Sequence, residues 1–157
     1  MKVIILRIFR IIKREKLSTK LYTTFDCNII HFSKIHNRAG SLTPVTNWVD
    51  LPFCIKRIYY LYDVPGGEGR GAHAHKKLEQ LIVAASGSFD VTLDDGKNKK
   101  TVNLSRPYMG LHVRAGMWRN LSNFSSGAIC LVLASELYEE NDYIKEYDDF
   151  KEWKTYG

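Results

Sequence analysis

A chain of 157 residues with 45% hydrophobic and 25% charged residues has the composition of one globular domain, which excludes a disordered or fibrous protein. The net charge of +6 comes from residues 1–20, which hold seven Lys or Arg residues and one acid. The remaining chain holds sixteen residues of each sign, so it lacks the basic excess of a nucleic-acid-binding domain. Three cysteines, Cys27, Cys54 and Cys130, form no CxxC pair, which favours free thiols in a reducing cytoplasm.

The first 26 residues are interpreted as a basic N-terminal extension. The apolar run is too short and too charged to span a bilayer, and it carries no small-residue cleavage site of a signal peptide. On a helix, Arg7, Arg10 and Arg14 would share one face, which is compatible with contact to an anionic membrane surface. The alternatives are an extra packing element or a disordered tail added by an upstream start codon, and we favour these two.

Residues 27–157 are predicted to form the folded domain, beginning with a short strand, a turn at 37–40 and another extended piece. The next run, from Pro52 to Val64, is strand-like because aliphatic and aromatic residues dominate it. Alternation along that strand places Arg57 and Tyr59 on one face. This polar pair is a candidate for the lining of a pocket.

A glycine-rich turn then leads into GEGRGAHAHKKLEQLIVAASG, residues 67–87. If this segment is extended, His73 and His75 project from the same face of one strand. The spacing from Gly67 through the two histidines to Gly87 resembles the first signature of the cupin superfamily, in which two His and a Glu bind metal. Counting back from Gly87 places Gln80, rather than Glu79, at the acid position.

The fourth cupin ligand, a histidine in a second signature, has its nearest counterpart in the segment from Gly116 to Asn123. Arg119 occupies the ligand position there. A guanidinium has no free lone pair and would repel a cation, so it cannot ligate a metal. We therefore expect no metal and no cofactor. We interpret the segment with the two histidines as a cupin metal site that now serves acid–base and anion-binding chemistry.

The rest of the chain continues the β pattern. Residues 89–94 alternate apolar and polar, Asp95-Gly96 is a hairpin turn, and further strands follow at intervals typical of an all-β sandwich or barrel. The acidic and aromatic tail, residues 136–153, is predicted to contain a short helix on the outside with its acids in solvent. The predicted fold is an all-β, cupin-type jelly-roll β-barrel with a short C-terminal helix.

The combination of KRIYY, RGAHAHK and LVLASELYEENDYI resembles the sugar 3,4-ketoisomerases over about residues 27–151. This resemblance implies an isomerase that moves the keto group of dTDP-4-keto-6-deoxyglucose from C4 to C3, on the way to dTDP-linked 3-amino-3,6-dideoxyhexoses of lipopolysaccharide or another surface glycan. It also implies a cytoplasmic homodimer with exchanged N-terminal strands. Arg119 departs from the family pattern, in which a His often follows the Trp.

That reaction needs a base at C3, a proton donor at C4 and a hydrogen-bonding or cationic environment for the enediolate oxygen. The expected catalytic residues are His73 as the principal base, with His75, Tyr59 and Arg70. Substrate-binding roles are expected for Arg38, Arg57, Lys76, Arg114, Trp118 and Arg119. Of these, Arg114 and Arg119 are expected at the mouth of the barrel, where arginine matches a diphosphate, and Trp118 is expected to stack on the sugar or base.

The same pattern is compatible with three alternative functions. The first is a metal-dependent cupin such as a dioxygenase, with His112 as the only nearby substitute ligand. The second is a cupin that binds a dTDP-sugar without altering it. The third is a dTDP-sugar 3,5-epimerase, which shares substrate and fold with the ketoisomerases.

Overall fold

The computed structural model describes residues 22–156, which fold into twelve β-strands and one α-helix. In chain order these are β1 Asn28–His31, β2 Ile35–Asn37, β3 Gly40–Leu42, β4 Arg57–Leu61, β5 Arg70–His75, β6 Gln80–Ser86, β7 Phe89–Asp94, β8 Lys99–Leu104, β9 Met109–Val113, β10 Trp118–Ser122, β11 Ile129–Ala134, β12 Tyr143–Ile144 and α1 Tyr147–Tyr156. Short 3-10 turns precede β1 and β12. Nearly all of the basic extension expected at residues 1–26 lies outside the described residues.

Ten of the described strands form two antiparallel five-stranded sheets. Sheet one has the order β1-β9-β6-β11-β4, sheet two has the order β12-β5-β10-β7-β8, and β2 pairs with β3 in a separate hairpin. The inward-facing residues of both sheets meet in one core, to which sheet one contributes Ile82 and Val132 and sheet two contributes Phe89 and Leu93. This arrangement confirms the predicted all-β jelly roll.

The outer face of sheet one is also apolar. Leu81, Val83 and Leu133 on this face pack against Leu51 and Phe53 of the loop before β4. Alternation along a strand explains the pattern, because each second residue of β6 and β11 turns away from the core. The loop covers only part of the face, and the outward residues of the edge strand β4 stay in solvent.

Helix α1 lies on the outer face of sheet two, as expected from the aromatic tail. Phe150 is fully buried there and packs with Ala74 and Ile144 of the sheet. The ring of Trp118 contacts Phe150 at a centroid distance of 5.7 Å and Tyr147 at 5.3 Å. The acids Asp148 and Asp149 face solvent, as predicted.

The predicted strand from Pro52 is shorter in the structure, because β4 begins only at Arg57. Residues 52–55 lie outside the ladder, and Phe53 packs on the outer face of sheet one, whereas the N–H of Lys56 still donates to the carbonyl of Ala134 on β11. The predicted alternation holds within β4, where Tyr59 packs against the core and Tyr60 is 61% exposed. No helix within residues 22–156 is long and apolar enough to cross a membrane.

Candidate active site

Two imidazoles on β5 form the centre of the site. His73 and His75 point into the space between the sheets, with their Nε2 atoms 3.2 Å apart and their rings nearly perpendicular. A bulge at the start of β5 sets their position. Arg70 and His73 are three positions apart, whereas their partners on β10, Leu121 and Arg119, are two positions apart. Gly71, at a φ of +74°, adopts the left-handed conformation that this bulge requires.

An acid from the C-terminal segment holds the second imidazole. Asp142, which is 8% exposed, accepts a hydrogen bond at its Oδ2 from Nδ1 of His75 at 3.1 Å. Its carboxylate also accepts from the backbone N–H groups of Lys77 and Leu78, at 2.8 and 3.3 Å. The sequence analysis placed the tail acids in solvent, which is wrong for Asp142. The signal for its burial is weak, because a single Asp among several tail acids does not show which one turns inward.

A buried cation lies beneath the two histidines. Arg119 stands opposite His73 in the β5–β10 ladder and is 3% exposed. Its Nη1 donates to the carbonyl oxygen of His73, and its Nη2 lies 3.3 Å from Nε2 of His75. Within residues 22–156 no carboxylate forms an ion pair with this guanidinium. Arg119 is therefore at the floor of the site rather than at the mouth, where we expected it.

Polar residues of sheet one form the opposite wall. Tyr59 on β4 accepts a hydrogen bond at its hydroxyl oxygen from Nε2 of Gln80 on β6, at 2.7 Å. The guanidinium of Arg57 lies over the ring of Tyr59 at 5.3 Å and over that of Tyr138 at 5.5 Å. Two buried polar atoms on this wall, Nε of Arg57 and Oε1 of Gln80, have no hydrogen-bond partner among residues 22–156. Buried polar groups normally have a hydrogen-bond partner, and a polar ligand bound between the sheets would supply one to each of these atoms.

Two tyrosines that the sequence analysis did not select line the same space. The ring of Tyr143 on β12 lies 4.9 Å from that of His73 and 4.3 Å from that of His75, measured between centroids. Tyr138 lies 5.6 Å from Tyr143 in the same way. The β12–β5 pairing brings Tyr143 opposite His75, a long-range register that a short strand does not reveal in sequence.

The environment keeps both imidazoles neutral. Burial, followed by the charges of Arg119 and His75, lowers the pKa of His73 to about 2. Burial also lowers the pKa of His75, to about 4, although the hydrogen bond to Asp142 acts in the opposite direction. Burial raises the pKa of Asp142, but the hydrogen bonds from His75 and from the backbone outweigh it and hold that pKa below its usual value. Near neutral pH the site thus contains two neutral bases, one carboxylate and one buried cation.

Three of the expected substrate contacts lie elsewhere in this chain. Trp118 alternates with Arg119 and so points to the opposite face of sheet two, beneath helix α1. Arg114 lies on the outside, where it donates to Glu79 at 3.0 Å and to the hydroxyl of Tyr22 at 2.8 Å. Lys76 donates to the backbone carbonyl of Asn141 at 2.9 Å and lines an outer groove beside β12.

The two remaining arginines are exposed. Arg70 is at the first position of β5, next to the bulge that orients the histidines. Arg38 is in the turn of the β2–β3 hairpin, and the described chain does not bring it to the imidazoles.

The donor set does not fit the metal site of a cupin. Gln80, a neutral amide, is inside at the acid position, whereas Glu79 points outward and accepts from Nε2 of His112 at 2.6 Å. His112 is therefore not a substitute ligand beside the histidine pair. Within the described residues no group of three or more His, Cys, Asp or Glu side chains is arranged to hold a metal ion.

Chemically, the arrangement is suited to proton transfer next to a developing negative charge. A neutral imidazole is a base for an acidic carbon–hydrogen bond, and a second imidazole is in contact with it. A guanidinium without a carboxylate partner stabilises an oxyanion, most strongly where water is excluded. A phenol hydroxyl across the space is a further donor.

Comparisons with known proteins agree with this geometry. The family model described as FdtA, WxcM-like, C-terminal, matches residues 25–155. The chain is 46% identical over 125 residues to a TDP-4-oxo-6-deoxy-alpha-D-glucose-3,4-oxoisomerase of Aneurinibacillus thermoaerophilus, covering 80% of this chain and 90% of that protein.

Solved structures give the same result. A 3,4-ketoisomerase from Helicobacter canadensis is 46% identical, with a TM-score of 0.80 over 82% of this chain and 97% of that one. A sugar 3,4-ketoisomerase from Thermoanaerobacterium thermosaccharolyticum, solved in complex with TDP, is 37% identical, with a TM-score of 0.82 over 84% of this chain and 96% of that one.

Proposed function

We propose that this chain, which belongs to the FdtA family of sugar 3,4-ketoisomerases, moves the keto group of a dTDP-4-keto-6-deoxyhexose from C4 to C3. The observation that carries the proposal is the pair of neutral imidazoles, His73 and His75, in contact with the buried cation Arg119. The pair supplies proton transfer, and the cation supplies charge for an enediolate intermediate. A non-catalytic sugar-binding cupin would have no need of two bases beside an unpaired cation.

In the proposed mechanism His73 removes the proton from C3, which the neighbouring ketone acidifies. The electron pair of the broken bond moves toward C4, and the negative charge on O4 is stabilised by Arg119 and by the hydroxyl of Tyr59. The proton of O3 then passes to O4, and protonation at C4 leaves the carbonyl at C3 and a hydroxyl at C4. No step removes a hydride from the substrate, so the reaction needs no redox cofactor.

Substrate binding is proposed to involve the arginines around the opening of the site. Arg57 lies beside Tyr59, and its buried Nε has no partner in the described part of the chain, which suits a hydrogen bond to the sugar or the diphosphate. Arg70, an exposed residue at the start of β5, is proposed to act in catalysis as a second cation for the enediolate. Arg38 is proposed to contact the substrate bound in the partner subunit rather than the substrate in its own chain.

The partner is proposed to be a second copy of this chain, with exchanged N-terminal strands. β4 is an edge strand of sheet one, and its outward residues Ile58 and Tyr60 are 59% and 61% exposed. The β2–β3 hairpin exposes Ile35 and Leu42 to 57% and 60%. Apolar residues on a free edge and on a detached hairpin are complementary, and their pairing between protomers would remove both from water.

The biological setting is proposed to be the cytoplasmic synthesis of dTDP-3-amino-3,6-dideoxyhexoses for lipopolysaccharide or another surface glycan. The described cysteines are free thiols, which supports a reducing compartment. Burial raises the pKa of Cys27 to about 11 and that of Cys130 to about 12, so neither is activated for disulfide exchange. Contact of residues 1–20 with a membrane surface stays a prediction from sequence.

The test is proton NMR of dTDP-4-keto-6-deoxyglucose incubated with the purified protein in deuterium oxide. We expect the 3-keto isomer, with deuterium at C4 to the extent that the proton on Nδ1 of His73 exchanges with solvent before it reaches C4, and the spectrum also gives the C4 configuration. The matched control is His73→Asn, which keeps the size and a hydrogen-bonding group but removes the base. Binding of the sugar without formation of the 3-keto isomer would overturn the proposal, and inversion at C3 and C5 would indicate an epimerase.

A further inference from the structure

We propose that Asp142 is a positioning residue that fixes the tautomers of both active-site histidines, so that the lone pair of His73 lies at Nδ1. The catalytic consequence rests on the proposed function. The tautomers themselves are properties of the folded chain, so they are measurable without turnover.

Arg119 and Asp142 favour the same tautomer of His75. A guanidinium has donors only, and its Nη2 lies 3.3 Å from this nitrogen. Nε2 of His75 must therefore carry the lone pair, and in a neutral ring the proton is then on Nδ1. That position faces Oδ2 of Asp142 at 3.1 Å, an ionised carboxylate that accepts but does not donate.

The same lone pair determines the state of His73. Its Nε2 lies 3.2 Å from Nε2 of His75, and two lone pairs at this distance would repel. Nε2 of His73 therefore carries a proton and donates a hydrogen bond to Nε2 of His75. Both contacts to Nε2 of His75 are long for hydrogen bonds, as expected where two donors share one lone pair. The free lone pair of His73 is left at Nδ1, on the ring edge away from His75.

The backbone around Asp142 prevents the carboxylate from turning away. Oδ1 accepts from the N–H of Lys77 at 2.8 Å, and Oδ2 accepts from that of Leu78 at 3.3 Å as well as from His75. The carbonyl of Asp142 accepts from the N–H of Lys76 at 2.9 Å. The acid is thus attached to the segment that directly follows His75, which makes the pair one rigid unit.

This arrangement gives the proton a defined path. When the C3–H bond breaks, a new N–H bond forms at Nδ1 of His73 and the electron pair enters the enediolate. The proton on Nε2 of His73 passes to Nε2 of His75, so the positive charge ends beside Asp142. Arg119 then loses its acceptor on His75, and its Nη2 donor is free for the enediolate oxygen. The proton of O3 passes to O4, and protonation of C4 from Nδ1 then reverses the transfer between the rings and restores both to the neutral form.

The test is Asp142→Asn in the full-length protein. The N–H of Lys77 makes the shorter contact, at 2.8 Å against 3.3 Å for that of Leu78, so the amide oxygen of Asn should take the Oδ1 position and its NH₂ should face His75. The proton of His75 would then move to Nε2, where it meets Arg119 and His73.

Long-range proton–nitrogen correlation spectra of the ¹⁵N-labelled protein read the tautomers directly. We expect His75 protonated at Nδ1 and His73 at Nε2 in the wild type, and His75 protonated at Nε2 in the variant. A wild-type protein with His75 protonated at Nε2 overturns the proposal, and this measurement is valid even if the variant does not fold. A folded variant with unchanged tautomers overturns it too.

Kinetics separate positioning from a merely structural role. We expect kcat of Asp142→Asn to fall by about 10²-fold with little change in KM, since outer hydrogen bonds of this kind act on the catalytic group rather than on binding. Asp149→Asn, an exposed acid on α1, is the matched control and should behave as wild type. An Asp142→Asn enzyme with wild-type kcat overturns the role. A wild-type chain that is inactive on the 4-keto sugar but has the expected tautomers refutes the proposed function alone.

Discussion

The side-chain amide of Gln80 donates to the hydroxyl oxygen of Tyr59 at 2.7 Å, across the ladder that links β6 to β4 through β11. An amide NH₂ cannot accept, so the hydroxyl proton of Tyr59 is not used in this contact. It points elsewhere in a space that also contains His73 and Arg119. A glutamate at position 80, the usual cupin residue, would reverse the direction of this hydrogen bond.

The first prediction follows from that direction. In Gln80→Glu the carboxylate would accept the hydroxyl proton of Tyr59, so that the phenol no longer donates to the sugar carbonyl. We expect kcat to fall by about 10²-fold, to the level of Tyr59→Phe, as for the loss of one oxyanion donor. The double variant should lose no more than either single variant. Additive losses in steady-state assays would show that the two residues act separately.

Arg119→Gln tests the buried cation. Glutamine keeps a donor near the imidazoles but removes the charge, so the enediolate loses its electrostatic stabilisation. We expect kcat to fall by about 10²- to 10³-fold. We also expect the pKa of His75 to rise, because Arg119 contributes to holding it low. Turnover and NMR titration of the imidazole are the measurements. An unchanged kcat would remove Arg119 from the mechanism.

The lowered pKa of His75, about 4, predicts a loss of stability in mild acid. Below about pH 6.5 the unfolded chain protonates this ring, while the folded chain does not until about pH 4. The free energy of unfolding should therefore decrease as the pH falls from 6.5 to 5, by up to about 1.4 kcal/mol per pH unit for this group.

Urea unfolding at pH 7, 6 and 5, at one protein concentration, measures that slope. His75→Asn should reduce the slope by the part that His75 contributes and leave the part that His73 contributes, because the pKa of His73 is lowered too. His36→Asn on the exposed β2–β3 hairpin should leave the slope unchanged. Equal slopes in the wild type and His75→Asn would mean that His75 has the same pKa in the folded and the unfolded chain.

Chelation tests the metal-free interpretation. Because Gln80 and Arg119 occupy the positions of two cupin ligands, we expect full turnover after exhaustive dialysis against a chelator. Elemental analysis of the same sample checks that divalent metals have been removed. Activity that is lost on dialysis and restored by a divalent metal would contradict the expectation.

The proposed dimer predicts the effect of a charge on β4. Tyr60→Glu would bury a carboxylate in the interface, so the wild type should sediment as a dimer and the variant as a monomer at micromolar concentration. Leu137→Glu, which also changes an exposed apolar residue but lies outside β4, is the control. A wild-type monomer in analytical ultracentrifugation would refute the dimer.

Local pattern was sufficient to predict most of the fold and the centre of the site. Alternation placed Tyr59 inside β4 and both histidines on one face of β5, and the cupin spacing correctly selected Gln80 over Glu79 as the inward residue. These are properties of single strands, in which neighbouring side chains point to opposite faces.

The errors arose where the position of a side chain depends on another segment. Trp118 and Arg119 are adjacent, and only the packing of helix α1 determines which of them faces outward. Arg114 is held outside by Glu79 and Tyr22, neither of which is near it in sequence. Asp142 reaches His75 through the pairing of a two-residue strand, which leaves almost no periodic signal.

The hydrogen bond between His75 and Asp142 joins residues 67 positions apart. On the ribosome, both imidazoles and Arg119 therefore emerge well before the carboxylate that orients them. Docking of β12 is therefore the step that completes the active site. A chain that ended after β11 would contain both bases but lack the acid that orients them.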